Sequence, residues 1–355
     1  MRFSKILCFL VLLLGLAGCA ENESKGPVLI EESPGTVEEH PGPTGERPGT
    51  GGEHPGTVEE RPGAAVTSGG LPDEMSFGNE ILAQAPALPD ILKPEAAGIL
   101  VKETDRAVID YSNTTDGYVM VCFKEETERR LKVQVKGPST TYTYNIASGE
   151  WETFPLSDGN GAYQISVYEN VEGSKYATVL SAKVTVELKD EFAPFLRPNQ
   201  YVNYGDAELT IKEAAVVTAG KTTELEKVKA VYEYVIHTLT YDKELAKTVK
   251  SGYLPDLDRV LESKKGICFD YAALMTGMLR SQSVPCKLVV GYAGEVYHAW
   301  ISVYTEKDGW IDSVIYFDGA SWKRMDPTFA SSGSQSKEIM EYIGDGENYK
   351  EKYLY

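Results

Sequence analysis

The chain has 355 residues, 53 acidic against 35 basic side chains, a formal net charge of −18 and 42% hydrophobic residues. So acidic a surface excludes nucleic acid as a partner, because holding a phosphate backbone takes a basic face. No phosphate-binding glycine loop and no Cys/His cluster suited to zinc occurs, so neither a cofactor nor a metal is expected.

Residues 1–18 read as a lipoprotein signal peptide. Arg2 and Lys5 supply the positive region, and Ile6 to Leu16 form an apolar run too short to span a bilayer as a stable helix. Leu16-Ala17-Gly18-Cys19 has the form of a lipobox. Cleavage would leave Cys19 as the acylated first residue and put the protein outside the cytoplasm, lipid-anchored to a bacterial membrane. Residues 19–70 read as a tether. Pro-Gly units recur every seven residues from Pro34, Pro41, Pro48 and Pro55 and carry almost nothing apolar, so they are expected to stay extended and solvated. His40 and His54 fall in this tether with no second pair of ligands beside them and are not read as a metal site.

Residues 71–190 change to short alternating runs: Ala107–Tyr111, Tyr118–Phe123, Leu131–Val135, Thr141–Asn145, Tyr163–Tyr168 and Tyr176–Leu188. With Asp116-Gly117 and Asp158-Gly159-Asn160-Gly161 as turns, they predict an antiparallel β-sandwich of immunoglobulin-like kind. The turn at Asp158 lacks the remaining ligands of a calcium loop. Residues 191–221 read as a connector with a short helix over Ala207–Val217. An α+β domain over residues 222–355 follows. Its first helix opens on a capping box, Thr223-Glu224-Leu225-Glu226, and carries an apolar stripe of Leu225, Val228, Tyr232, Val235 and Leu239. His237 falls off that stripe, toward solvent.

The stretch Lys264-Lys265-Gly266-Ile267-Cys268 sets a cysteine at the start of the next helix, where backbone N–H groups and the helix dipole favour a thiolate. Ala272, Met275 and Leu279 continue the cysteine's face, which is expected to turn inward as far as about Arg280. After processing, the folded part keeps only Cys122, Cys268 and Cys286, one per separate element, which is no disulfide framework. Strands are predicted over Cys286–Tyr292, Val296–Tyr304, Ile311–Phe317 and Trp322–Asp326. On the second of these, His298, Trp300, Ser302 and Tyr304 share one face, which is expected to pack at least in part against the Cys268 helix. A thiol nucleophile needs a base, and the base an orienting acceptor. Cys268, His298 and Asp326 fill those roles in that order, with gaps of 30 and 28 residues that fit neither the papain nor the caspase arrangement. A cysteine packed as a small hydrophobe and a structural histidine are the competing readings.

Gly266-x-Cys268-x-x-x-Ala272, His298-Ala299-Trp300 and Asp326-Pro327-Thr328, with the Arg280-to-Pro285 exit, resemble the transglutaminase-like superfamily over about residues 222–329. The resemblance implies a circularly rearranged papain-like core, with Cys268 as nucleophile, His298 as general base and acid, and Asp326 as orienter. Two positions depart from the family pattern: Ser283 stands where glycine is usual, and Ile301-Ser302 follows His-Ala-Trp. The activity implied is acyl transfer from an amide of a peptide or protein through a Cys268 thioester. Hydrolysis, as by a peptidase or amidase, is favoured over transamidating cross-linking, because nothing resembles the calcium sites of the animal cross-linking enzymes. A binding or scaffold lipoprotein with an idle triad is the third reading. All the catalytic assignments lie between residues 268 and 326, so a chain starting near Asn199 is expected to fold alone.

Overall fold

The computed structural model describes residues 29–31, 88–293, 296–311, 316–317, 322–323 and 349–355. Cys19, the seven-residue repeats, His40, His54 and Asp326 lie outside them.

Nine strands occupy the first half: β1 (Leu29–Glu31), β2 (Val101–Glu103), β3 (Ala107–Asp110), β4 (Tyr118–Phe123), β5 (Leu131–Lys136), β6 (Thr141–Ile146), β7 (Trp151–Pro155), β8 (Gly161–Glu172) and β9 (Lys175–Val186). They form two antiparallel sheets, ordered β2-β3-β4-β7 and β1-β9-β8-β5-β6. Ile109, Val119, Val121 and Phe123 of the first sheet and Val133, Val135, Ile165 and Val167 of the second belong to one buried apolar cluster. Strand β4 is buried at all six positions, so its outer face is covered too. There the Tyr118 hydroxyl accepts from the Glu95 N–H at 3.2 Å, and the Arg197 guanidinium lies 5.7 Å from the Tyr118 ring centre.

One strand lies within the stretch read as a tether. Leu29–Glu31 pairs antiparallel with Lys175–Ala177 on the edge of β9. The physical reason is local composition: Val28-Leu29-Ile30 is an apolar, β-branched run that the repeats do not contain.

The second half is built around one helix. Helices α1 (Glu208–Val217), α2 (Glu224–Thr238), α3 (Lys243–Thr248), α4 (Leu257–Ser263) and α5 (Cys268–Ser281) are joined by the short parallel pair β10 (Thr240–Tyr241) and β11 (Lys265–Gly266). Then come β12 (Cys286–Ala293), β13 (Val296–Thr305), β14 (Gly309–Ile311), β15 (Tyr316–Phe317), β16 (Trp322–Lys323) and β17 (Tyr349–Leu354). The order β14-β13-β12-β17 makes one antiparallel sheet, and β15-β16 pair separately. The predicted strand over Ile311–Phe317 is thus two strands in different sheets. The capping box of α2 is present, with the Glu226 N–H donating to Thr223 Oγ1 at 3.2 Å, and His237 is exposed as its spacing predicts. Helix α1 is held by a carboxylate from α4: Asp258 accepts from the Leu209 and Thr210 N–H groups at 3.1 and 2.8 Å.

Ser283, just after α5, has φ +62°. That is the left-handed region where a Cβ costs about 1 kcal/mol, and it accounts for glycine being usual at this point of the family pattern. Ser283→Gly is therefore expected to raise unfolding free energy by roughly 0.5–1 kcal/mol, part of the relief being offset by the freer unfolded chain. Urea denaturation checks it, and an unchanged or lower midpoint would show that the serine is not strained.

Candidate active site

Cys268 is the first residue of α5, and every residue after it from Phe269 to Ser281 is buried. Sequence spacing predicted burial of one face only. Helices α1, α2 and α4 and the strands β12 and β13 pack around α5, so it is buried on all sides, as a central helix is. Gly277 permits the closest of these approaches, since a Cβ there would stand 2.7 Å from Leu257 Cδ1. Cys268 itself stays partly exposed, whereas Cys122 and Cys286 are buried. Burial pushes the Cys286 thiol up to about 11 and raises that of Cys122.

The turn that delivers Cys268 is fixed by hydrogen bonds. The Thr240 N–H donates to Lys264 O and the Asp242 N–H to Gly266 O, both at 2.9 Å. Ile267 is the N-cap, extended at φ −96° and ψ 177°, and its apolar side chain takes none of the first-turn N–H groups. The cap is instead supplied from inside: Asp270 Oδ2 accepts the Ile267 N–H at 2.8 Å, and Asp270 Oδ1 accepts the Tyr253 hydroxyl at 2.7 Å. Asp270 is 0% exposed, and burial pushes its carboxyl up to about 6 against the opposing effect of those two hydrogen bonds. Gly266 does not have a positive φ. It is needed because a Cβ there would lie 2.6 Å from Asp270 Cβ. The sequence reading missed Asp270 and Tyr253; the signal was a carboxylate at the third helical position behind an N-cap with no oxygen to offer.

The C-terminal end of α5 is tied to the start of β12. Arg280 Nε donates to Cys286 O at 2.9 Å, and Cys286 Sγ lies 3.6 Å from Thr276 Oγ1. The 14 residues of α5 make it about 20 Å long, so its first residue lies toward the opposite end of the sheet, where β13 carries His298. His298 is 6% exposed and stacks with Trp300 at 6.5 Å between ring centres.

One expectation is overturned here. Cys286 faces α5 and pairs with Val303, so by alternation Ala299, Ile301 and Val303 meet the helix. His298, Trp300, Ser302 and Tyr304 occupy the other face, where Trp300 meets Tyr349 and Tyr304 meets Phe192 and Trp310. The helix takes the smooth aliphatic face, and the bulky aromatic one turns away. Gly291 lies opposite His298, where a Cβ would run into the Lys350 carbonyl of β17. Strand β14 pairs only with Val303–Thr305, so among the described residues the edge of β13 beside His298 has no strand neighbour.

The two halves meet through aromatic rings. Tyr144 of β6 stacks on Tyr201 at 5.6 Å, Tyr201 lies 5.5 Å from Phe269 beside the cysteine, and Tyr355 contacts Tyr142, Tyr144 and Tyr201 at 5.7, 5.8 and 4.5 Å. Arg280 is wholly buried and donates also to Arg197 O at 2.8 Å and Tyr355 O at 2.6 Å. Among the described residues no group of three His, Cys, Asp or Glu side chains is placed to hold a metal, and no helix is long and apolar enough to cross a membrane.

Residues 212–313 match the family model of the transglutaminase-like superfamily. Over 96 residues the chain is 32% identical to the Kyphoscoliosis peptidases of Mus musculus and Homo sapiens, covering 24% of this chain and 14% of theirs. Over 118 residues it is 29% identical to the uncharacterized protein YebA of Bacillus subtilis (strain 168), covering 28% of this chain and 16% of that one. The chain thus spans about a seventh of these relatives' lengths. Solved structures with similarity include a candidate cysteine protease from Cytophaga hutchinsonii, at 14% identity and TM-score 0.33 over 72% of this chain and 74% of that one. Another is the red sea bream transglutaminase, at 14% identity and TM-score 0.24 over 59% and 48%.

Proposed function

We propose, from the match of residues 212–313 to the transglutaminase-like superfamily, that the protein is an extracytoplasmic, membrane-anchored thiol enzyme that opens amide bonds of peptides or proteins through a thioester on Cys268. The observation that carries this reading is the placement of Cys268: a partly exposed thiol heading a helix that is otherwise buried, where a structural cysteine would sit inside as Cys286 does. His298 takes the thiol proton, Sγ attacks the amide carbon, and first-turn N–H groups, that of Cys268 among them, receive the oxyanion. His298 then protonates the departing amine. Water, activated by the same imidazole, releases the acid and restores the thiol. Asp326 holds the imidazole in the required tautomer.

Hydrolysis is favoured over transfer to an amine, and the stretch similar to the Kyphoscoliosis peptidases supports that choice. The anchor is Cys19, on the strength of the Leu16-to-Cys19 lipobox. We read the β-rich half as an immunoglobulin-like sandwich over residues 71–190, in support of which β5 and β6 pair in one sheet, β7 returns to the other beside β4, and β8 returns beside β5. We read residues 191–207 as the connector and 208–355 as the thiol domain, because the family match begins at residue 212 and α1 packs against α5.

Two measurements test the reading. Iodoacetamide at about pH 6 is expected to label Cys268 at least tenfold faster than Cys122 or Cys286. Mass spectrometry of a peptide mixture incubated with the protein, with and without an added amine, is expected to show water-derived products in both cases. Amine adducts alone would identify a cross-linker, and a slow thiol with no products would identify a scaffold.

A further inference from the structure

Four hydrogen bonds converge on the turn from Lys264 to Asp270. Gly266 O is held by the Asp242 N–H, the Ile267 N–H by Asp270 Oδ2, Asp270 Oδ1 by the Tyr253 hydroxyl, and Lys264 O by the Thr240 N–H. Of the two side chains in this set, Asp270 is wholly buried, and Gly266 has no room for a Cβ because Asp270 folds back over it. An N-cap serine or threonine would accept the N–H groups at the second and third helical positions, but the Ile267 N–H is the N-cap's own and falls to the side chain at the third position, Asp270. Ile267 supplies nothing, and the protein places a desolvated carboxylate there instead.

We propose that Asp270 is a positioning residue for the chemistry at Cys268: with Tyr253 it fixes the Gly266–Ile267–Cys268 backbone, and so the direction from which the thiol and the Cys268 N–H meet a substrate carbonyl. The proposal rests on the thiol reading above. Asp270 touches no reacting atom; it acts through the turn. Acyl transfer demands that thiol and oxyanion donor hold their places together, and a displacement of about 1 Å is enough to lower the rate about a hundredfold. Tyr253 extends the restraint from α5 to the segment between α3 and α4, so that segment and the nucleophile move as one.

The turn is also sensitive to protons. The groups that face Asp270 are the Tyr253 hydroxyl, which donates to it, and the Asp242 carboxylate, whose charge adds to the effect of burial. With its folded pKa at about 6, above the ordinary carboxylate value, the group binds a proton more tightly in the folded state. Its contribution to stability is then complete below about pH 4 and is lost as pH rises through about 6.

The test uses the full chain with Asp270→Asn, Asp270→Ala and Tyr253→Phe. Each is followed by thermal melting from pH 4 to 8, by the iodoacetamide rate at Cys268, and by kcat and KM on a peptide substrate. Asp270→Ala is expected to lower kcat about ten- to a hundredfold with KM nearly unchanged, and to lower the alkylation rate in parallel. Asp270→Asn keeps an acceptor for the Ile267 N–H and is expected to restore kcat to within about threefold while losing the melting inflection near pH 6. Tyr253→Phe, which leaves the cap in place, is expected to reduce kcat about three- to tenfold. A folded Asp270→Ala chain with wild-type kcat and alkylation rate overturns the proposal. Should Asp270→Ala not fold, a Tyr253→Phe chain and an Asp270→Asn chain that both match wild type in kcat, alkylation and pH profile overturn it as well. Alkylation that depends on Asp270 in a chain turning over no amide would uphold the positioning role and reject the enzymatic reading.

Discussion

Replacing His298 with glutamine is expected to lower amide turnover by about 10³- to 10⁴-fold, because a triad works as a unit and what survives is the oxyanion hole and binding alone. Cys268→Ala and the double variant should fall to the same floor as the single one, which is how non-additivity appears in practice. The strand geometry gives this experiment its edge. His298 stands on the face of β13 away from α5, so the proposed pairing with Cys268 requires the imidazole to pass the edge of the strand. Thiol reactivity reads that contact directly. If the imidazole holds the thiolate, His298→Gln slows alkylation of Cys268 at pH 6 by at least tenfold, with the melting temperature within a few degrees of wild type. Unchanged alkylation would mean that His298 is a packed structural residue beside Trp300 and that the base lies elsewhere.

The second large effect concerns the dependence of the thiol domain on the β-rich half. Sequence position alone makes residues 199–355 look self-sufficient, and the aromatic contacts reverse that expectation. Removing residues before Asn199 takes Tyr142 and Tyr144 away from Tyr201 and Tyr355. It also removes the Arg197 carbonyl from Arg280, a guanidinium that burial already pulls down to about 10. Each uncovered tyrosine forfeits about 2 kcal/mol of burial and the missing acceptor about 1–3 kcal/mol more, a sum comparable with the whole stability of a small domain. The shortened chain is expected to show no cooperative transition in urea, or one with a midpoint shifted far down, and to lose the selective labelling of Cys268. A sharp transition at the full-length midpoint with labelling intact would show that the rings are a passive contact.

How much was legible in the sequence follows from what each pattern encodes. The α2 capping box was readable because both of its partners are local, Thr223 and Glu226, and so was the exposure of His237. Strands β4, β5, β6, β8, β12 and β13 announced themselves by alternation. Strand β7 did not, since Trp151-Glu152-Thr153-Phe154-Pro155 ends in a proline and has a weak period. The face of β13 could not be read because both of its faces are buried, and period two gives the two sets without saying which meets the helix. Asp270 was hidden for a related reason: an acid in a helix's first turn is ordinarily a solvated one, and only the tertiary position of Tyr253 and the bare Gly266 reveal it as buried.

Strand β1 alters what the repeat segment is for. With Leu29–Glu31 seated on β9 and Leu88 at the start of the second described stretch, residues 32–87 run between two points that both belong to the fold. On the proposal that Cys19 carries an acyl group, the nine residues 20–28 alone would separate it from β1, at most about 30 Å of extended chain. The length of the repeats drops out of the distance to the bilayer. It enters only as loop-closure entropy, in which adding or deleting one seven-residue unit changes the free energy by about 0.1 kcal/mol. If the proposed anchor holds, neither the stability of the fold nor its height above the membrane registers a change in the copy number of the repeat.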